Sequence, residues 1–142
     1  MATTTITLHL FFGGRCEEAI QFYKKALGAE CQMMMRFNES PDATPPGMLQ
    51  EGFEKKIMHA SIVIRGNLLM LSDGCDDKTK ASGYKLAISL PNETDALRVY
   101  DALSDGGKAD MPLTKTFWSP CFGMLTDRFG IEWMVSVPGP MG

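Results

Sequence analysis

Apolar and polar residues alternate along residues 5–12, TITLHLFF, and the run is rich in β-branched and aromatic side chains, which predicts a strand. The period then changes. In CEEAIQFYKKALGAE, Ala19, Ile20, Tyr23, Ala26 and Leu27 recur at the spacing of one helical face, and Gly28 is free to adopt a left-handed cap, so a helix is predicted over 16–27. Strands follow at 31–37, 56–65 and 67–73, the last two joined by a tight turn around Gly66. The second half begins the same way. YKLAISL sets Leu86, Ile88 and Leu90 against Lys85, Ala87 and Ser89 over 84–90. A helix is predicted at 94–105, capped by Asn92 or Thr94, with Ala96, Leu97, Val99, Tyr100 and Leu103 on its buried face and Gly106 and Gly107 ending it. Strands are then expected in MPLTKTF (111–117), CFGMLTD (121–127) and GIEWMVSV (130–137), the last pair turning through 127–130. Ala-Ile-x-x-Tyr at 19–23 recurs as Ala-Leu-x-x-Tyr at 96–100, and the chain reads as β-α-β-β-β twice, about 1–75 and about 82–142, within a single domain of 1–142.

The two halves differ in length between the helix tyrosine and the turn glycine, Tyr23 to Gly66 against Tyr100 to Gly130. The excess falls in NESPDATPPGMLQEGFEK (38–55), whose prolines, glycines and charges forbid a central strand. A loop of that length reads either as a lid or as a solvated insertion.

Composition narrows the function classes. With 142 residues, 44% hydrophobic and 22% charged, the chain is long enough to bury a core without staples. A net charge of −3 with scattered basic residues gives no footprint for nucleic acid or an anionic membrane. No apolar run reaches the roughly 20 residues needed to span a bilayer, and MATTTITLHLFF lacks the basic start of a signal peptide, so a cytoplasmic protein is expected. Cys16, Cys31, Cys75 and Cys121 form no CxxC pair and read as reduced thiols.

The element order, together with LFFGGRCEEAIQFYKKALGAE, KIMHASIVIRGNLLMLSDG and MPLTKTFWSPCFGMLTDRFGIEWMVS in that sequence, resembles the vicinal oxygen chelate superfamily of glyoxalase I, extradiol dioxygenases and bleomycin- and fosfomycin-resistance proteins. Within it the chain resembles the PhnB-like branch. The resemblance implies an α+β fold, two β-α-β-β-β modules forming a cupped mixed sheet with helices on the outer face, and a homodimer. It also implies a divalent metal held by residues of the first and last strands of each module. Those positions fall near Thr7 or His9, near Met70, near Lys85 and near Met134. Methionine suits soft metals and a protonated lysine has no lone pair to donate, so no metal or cofactor is expected; the alternative is a divalent metal on His9 and Glu132 with His59 or a water. Some relatives of this branch carry a methyltransferase label for a ubiquinone precursor, but no glycine-rich fingerprint following a strand is present here to hold a methyl donor.

Strand parity places the candidate residues. On 56–65, Met58, Ala60, Ile62 and Ile64 make an apolar face suited to packing under a helix, which turns Ile57, His59, Ser61 and Val63 the other way, into the cup. Thr7, His9 and Phe11, then Met70 and Ser72, then Lys85, Ala87 and Ser89 join them by the same parity. An apolar surface with sparse polar groups is how small-molecule pockets are built. The ligand-contact set is therefore His9, Phe11, His59, Ser61, Met70, Lys85, Trp118 and Met134, with catalytic residues unassigned. For His59, and likewise His9, three roles stand open: ligand contact, a structural hydrogen bond, and acid–base catalysis. Phe117, Trp118 and Phe122 could stack a flat ligand or plug the core, and the run Met33–Met35 suits an adaptable apolar site or gap filling. The expected function is metal-free binding of a small apolar or aromatic molecule, with no nucleic-acid or membrane partner; the alternative is a lyase, isomerase or dioxygenase with a non-standard metal or histidine-based site.

Overall fold

Both predicted helices form in the computed structural model, which describes residues 4–42, 46–78 and 82–139. The chain divides into two compact units, Met1–Ala81 and Ser82–Gly142. In the first, α1 (Cys16–Leu27) buries Cys16, Ala19, Ile20, Tyr23 and Leu27, and Gly28 closes it at φ 70°, a conformation glycine reaches without a Cβ clash, its N–H donating to the Lys24 carbonyl. Glu17 and Glu18 near its start and Lys24 and Lys25 near its end complement the helix dipole. Four strands make one mixed sheet: β1 (His9–Phe11), β2 (Glu30–Arg36), β3 (Ile57–Ile64) and β4 (Asn67–Ser72), in the order β1-β4-β3-β2. β1 runs parallel to β4, and the other pairs are antiparallel. Leu10, Ala60, Ile62 and Leu71 are fully buried on one face and form the module core with α1.

The second unit repeats the plan. Strands β5 (Leu86–Ser89), β6 (Lys108–Thr114), β7 (Cys121–Thr126) and β8 (Glu132–Val137) lie in the order β5-β8-β7-β6, with β5 parallel to β8. Helix α2 (Glu93–Ser104) starts at Asn92, whose Oδ1 accepts the Asp95 N–H at 2.8 Å. Ala96, Val99, Tyr100 and Leu103 are buried beneath it, and with Trp133, Val135 and Leu125 they make this unit's core. The α+β assignment and the doubled β-α-β-β-β order hold, with one four-stranded mixed sheet in each unit.

Three local readings are corrected. The first strand is three residues, not eight: beyond His9–Phe11 the pairing with β4 continues just to the Leu8 carbonyl, which accepts the Met70 N–H, and to the Phe12 N–H, which donates to the Ser72 carbonyl, while Ile6 is 100% exposed. β6 begins at Lys108 rather than at residue 111 and ends at Thr114. Its Pro112 is tolerated because β6 is an edge strand with register shifts on either side of Met111, and 115–120 form a turn closed by the Thr116 N–H donating to the Ser119 carbonyl. Leu97, expected on the buried face of α2, is 55% exposed, while the other four residues expected there, Ala96, Val99, Tyr100 and Leu103, are buried. The described part of the 38–55 segment packs on its own module through buried Phe53, and Gln50 bonds both Cys75 and Asp77; residues 43–45 of it lie outside the described residues.

Candidate functional site

Register partners on neighbouring strands point the same way, so the pairing of the first sheet fixes what shares the face opposite the buried one. His9 is paired with Met70, Met70 with Ser61, and Ser61 with Met33, a row running across all four strands. Beside it, Phe11 is paired with Ser72, and His59 with Met35. All five first-module residues expected to contact a ligand, His9, Phe11, His59, Ser61 and Met70, thus stand on one face. The start of β3 departs from the parity reading, where the β2–β3 register shifts between Met35 and Arg36: Ile57, grouped with His59 from sequence, is fully buried, and Met58, expected on the buried face, is only half-buried.

The two histidines close over Ser72. Their ring centres are 5.9 Å apart, and His9 Nε2 lies 2.9 Å from the Ser72 hydroxyl oxygen, which is almost wholly buried. Phe11 stacks on His9 with ring centres 4.8 Å apart. Gly74, at φ 72°, leaves room for that stack, since a Cβ there would come 3.2 Å from the Phe11 ring. Burial, and then the nearby charge of His59, hold the His9 imidazole below its ordinary pKa, which favours the neutral ring with one donor and one acceptor nitrogen.

Sequence reasoning missed what sets this geometry. Asp73, next to Ser72 and almost fully buried, accepts the N–H of Gly14 at 2.7 Å, of Cys16 at 2.8 Å and of Ile57 at 2.8 Å. One carboxylate therefore ties the start of α1 and the start of β3 to the end of β4. The only sequence signal was its place in LLMLSDG, an acid directly after an apolar strand.

In the second unit Lys85 precedes β5 and pairs with Glu132 at 3.3 Å. Met134 is register partner of Ala87 and Met124. Trp118 sits in the 115–120 turn, edge-on to Phe117 and to Phe122 with centres 4.8 and 5.4 Å apart, and Phe122 is partnered with Ser136 in the neighbouring row. Near the turn a shallow cavity of about 390 Å3 is lined by Lys115, Thr116, Phe117, Ser119, Pro120, Pro138 and Gly139. It was not anticipated, because Pro138 and Pro120 meet only once β7 and β8 are paired. Burial raises the pKa of the Cys121 thiol, which works against a nucleophilic thiolate.

Residues 6–135 match the family model for the glyoxalase/bleomycin resistance protein/dioxygenase superfamily. The chain belongs to that superfamily. Protein YjdN of Escherichia coli strain K12 is 34% identical over 137 residues, covering 91% of this chain and 92% of that protein. Among solved structures, protein PA1353 of Pseudomonas aeruginosa is 35% identical with a TM-score of 0.83, covering 96% of this chain and 98% of that one. The PhnB protein of Bacillus cereus, provisionally named a 3-demethylubiquinone-9 3-methyltransferase, is 26% identical with a TM-score of 0.77, covering 94% and 99%.

The superfamily's divalent metal can be tested against the donors present. His9 and Met70 are register partners on the first and last strands of module 1, and Ala87 and Met134 hold the matching places in module 2. The family resemblance points to Lys85 for that place; the register assigns it to Ala87 and makes Lys85 the counterpart of Thr7. One imidazole, two thioethers and an alanine do not make the nitrogen- and oxygen-rich set a divalent ion needs. Among the described residues no three His, Cys, Asp or Glu side chains gather to hold a metal, and Glu132 is engaged by Lys85. The residues do not fit that metal. No helix among the described residues is long and apolar enough to cross a membrane.

Proposed function

We propose that this member of the glyoxalase/bleomycin resistance/dioxygenase superfamily binds a small apolar or aromatic molecule without the superfamily's divalent metal. The supporting observation is the convergence of His9 and His59 over Ser72, beside Phe11 and the thioethers of Met70, Met33 and Met35, on a partly exposed sheet face. Apolar lining with a few fixed polar groups is the usual composition of such a site. His9, Phe11, His59, Ser61 and Met70 serve it from the open face of the first module's sheet. The protein works as a cytoplasmic homodimer, with neither nucleic acid nor membrane as partner.

Thermal unfolding in a panel of small aromatic compounds tests the reading. A ligand at about 100 times its Kd adds about 2.7 kcal/mol to the folded state, enough for a clear rise in Tm. The rise is expected to vanish in Phe11→Ala and to shrink in His59→Leu. No shift from any compound, or a shift untouched by either substitution, would count against the reading.

A second reading, a lyase, isomerase or dioxygenase acting through histidine, is favoured by one observation: His9, held by the Ser72 hydroxyl at 2.9 Å, has the His59 ring centred 5.9 Å away, and burial and that neighbour lower its pKa toward the neutral form of a general base. Mass spectrometry of a bound compound after incubation separates the two. Conversion that stops in His9→Asn supports the enzyme, and unchanged compound supports binding alone.

A further inference from the structure

The thioethers of the first module's open face are more than apolar lining. Met70 is the register partner of His9, Met35 that of His59, and Met33 ends the His9 row. Thioether sulfur favours soft ions such as Cu(I) over hard ones, and imidazole serves soft and borderline ions alike. Two rings with centres 5.9 Å apart can both reach one ion, because a ring nitrogen sits about 2.0–2.1 Å from the metal it binds. Ser72 completes the arrangement. Its hydroxyl engages Nε2 of His9 at 2.9 Å and leaves the other ring nitrogen for an ion, as the outer hydrogen-bond partners of metal-bound histidines do.

No carboxylate or thiol stands in these two rows, whose oxygen donors are the neutral hydroxyls of Ser61 and Ser72, the latter engaged by His9. Asp73 turns both carboxylate oxygens to backbone N–H groups. Cys31 is partnered with Ile62, on the buried-face parity of β3. What remains is a pair of imidazoles and neighbouring thioethers on a half-exposed surface, a donor set that discriminates against magnesium, calcium and manganese by its softness.

We propose that this face binds one soft monovalent metal ion of the Cu(I) and Ag(I) class, held by His9, His59 and Met70 with Met35 beside them. The proposal does not rest on the small-molecule reading: an ion can bind whether or not an aromatic compound does.

Silver(I), which is redox-inert, is the probe. Full-length protein carrying Cys31→Ser, Cys75→Ser and Cys121→Ser removes the thiols that are partly exposed, while Cys16 is fully buried. Silver nitrate is titrated in while the ring resonances of the chain's two histidines are followed by NMR, with circular dichroism reporting the fold of each variant. One equivalent is expected to move both histidines together and then saturate. Affinity should fall by about tenfold or more in Met70→Leu and in His59→Asn, both chosen to preserve bulk, and by a comparable factor in Ser72→Ala through loss of the outer partner. Zinc(II) should bind more weakly than silver. A response from one histidine alone or from neither, undiminished silver affinity in folded Met70→Leu, or zinc binding as tight as silver would each overturn the proposal.

Discussion

At the scale of single residues, the candidate site depends on a serine and an aspartate that carry no motif. Ser72 is small enough to let His9 and His59 lean over β4 from either side, and its hydroxyl fixes the His9 ring. The lowered pKa of His9 has a signed consequence. Between the folded and ordinary values the unfolded chain holds more protons, so stability rises with pH across that window, is complete above the ordinary histidine value, and is lost as the pH falls through it. Histidine NMR titration of metal-free protein should show His9 titrating below its ordinary value, moving upward in His59→Asn as the neighbouring charge is removed; an unmoved His9 curve would argue against the coupling. Asp73 has a larger structural effect. Asp73→Ala leaves the N–H groups of Gly14, Cys16 and Ile57 without their acceptor, at a cost of about 1–3 kcal/mol for each buried group, so urea unfolding should show a loss of about 3 kcal/mol or more. Asp73→Asn should recover part of it, because one oxygen still accepts. Parity along 56–65 was enough to put His59 and Ser61 on one face, but the serine and aspartate were silent in sequence, since their partners lie far along the chain.

At the scale of elements, Tyr100 shows how a helix secures a sheet edge. Its hydroxyl lies 2.9 Å from the Met111 carbonyl and 3.1 Å from the Met124 carbonyl, linking α2 to β6 and β7. Gly123 admits the ring, since a Cβ there would sit 3.0 Å from it and 2.9 Å from the Met111 carbonyl oxygen. Tyr100→Phe should cost about 1 kcal/mol, and amide hydrogen exchange should quicken in β6 more than in β8; equal protection in both would remove the tyrosine from that role. Helix limits were legible because period, cap and glycine stop agree: Asn92 and Gly28 act as read. Edge strands were not. Alternation over residues 5–12 suggested a long strand, yet a ladder extends only as far as its partner, and proline in β6 shifted the reading by three residues.

At the scale of the whole molecule, Phe11, Met33, Met34, Phe117 and Trp118 all keep substantial exposure within the single chain. Apolar surface of this kind is commonly covered by closed twofold pairing. Light scattering over a micromolar dilution series should give a mass near twice 15.6 kDa, and a value of 15.6 kDa throughout would refute the homodimer. The sequence by itself determined the number and order of elements, the repeat of the module and which strand face each histidine takes, because these follow from local period, capping and turn chemistry. Tertiary structure alone decided that β4 lies between β1 and β3, and so that His9 and His59, fifty positions apart, meet over Ser72 with thioethers in adjacent register. Strand order and register are chosen by the burial of Leu10, Ala60, Ile62 and Leu71 against α1, a contest between distant segments that no local pattern encodes.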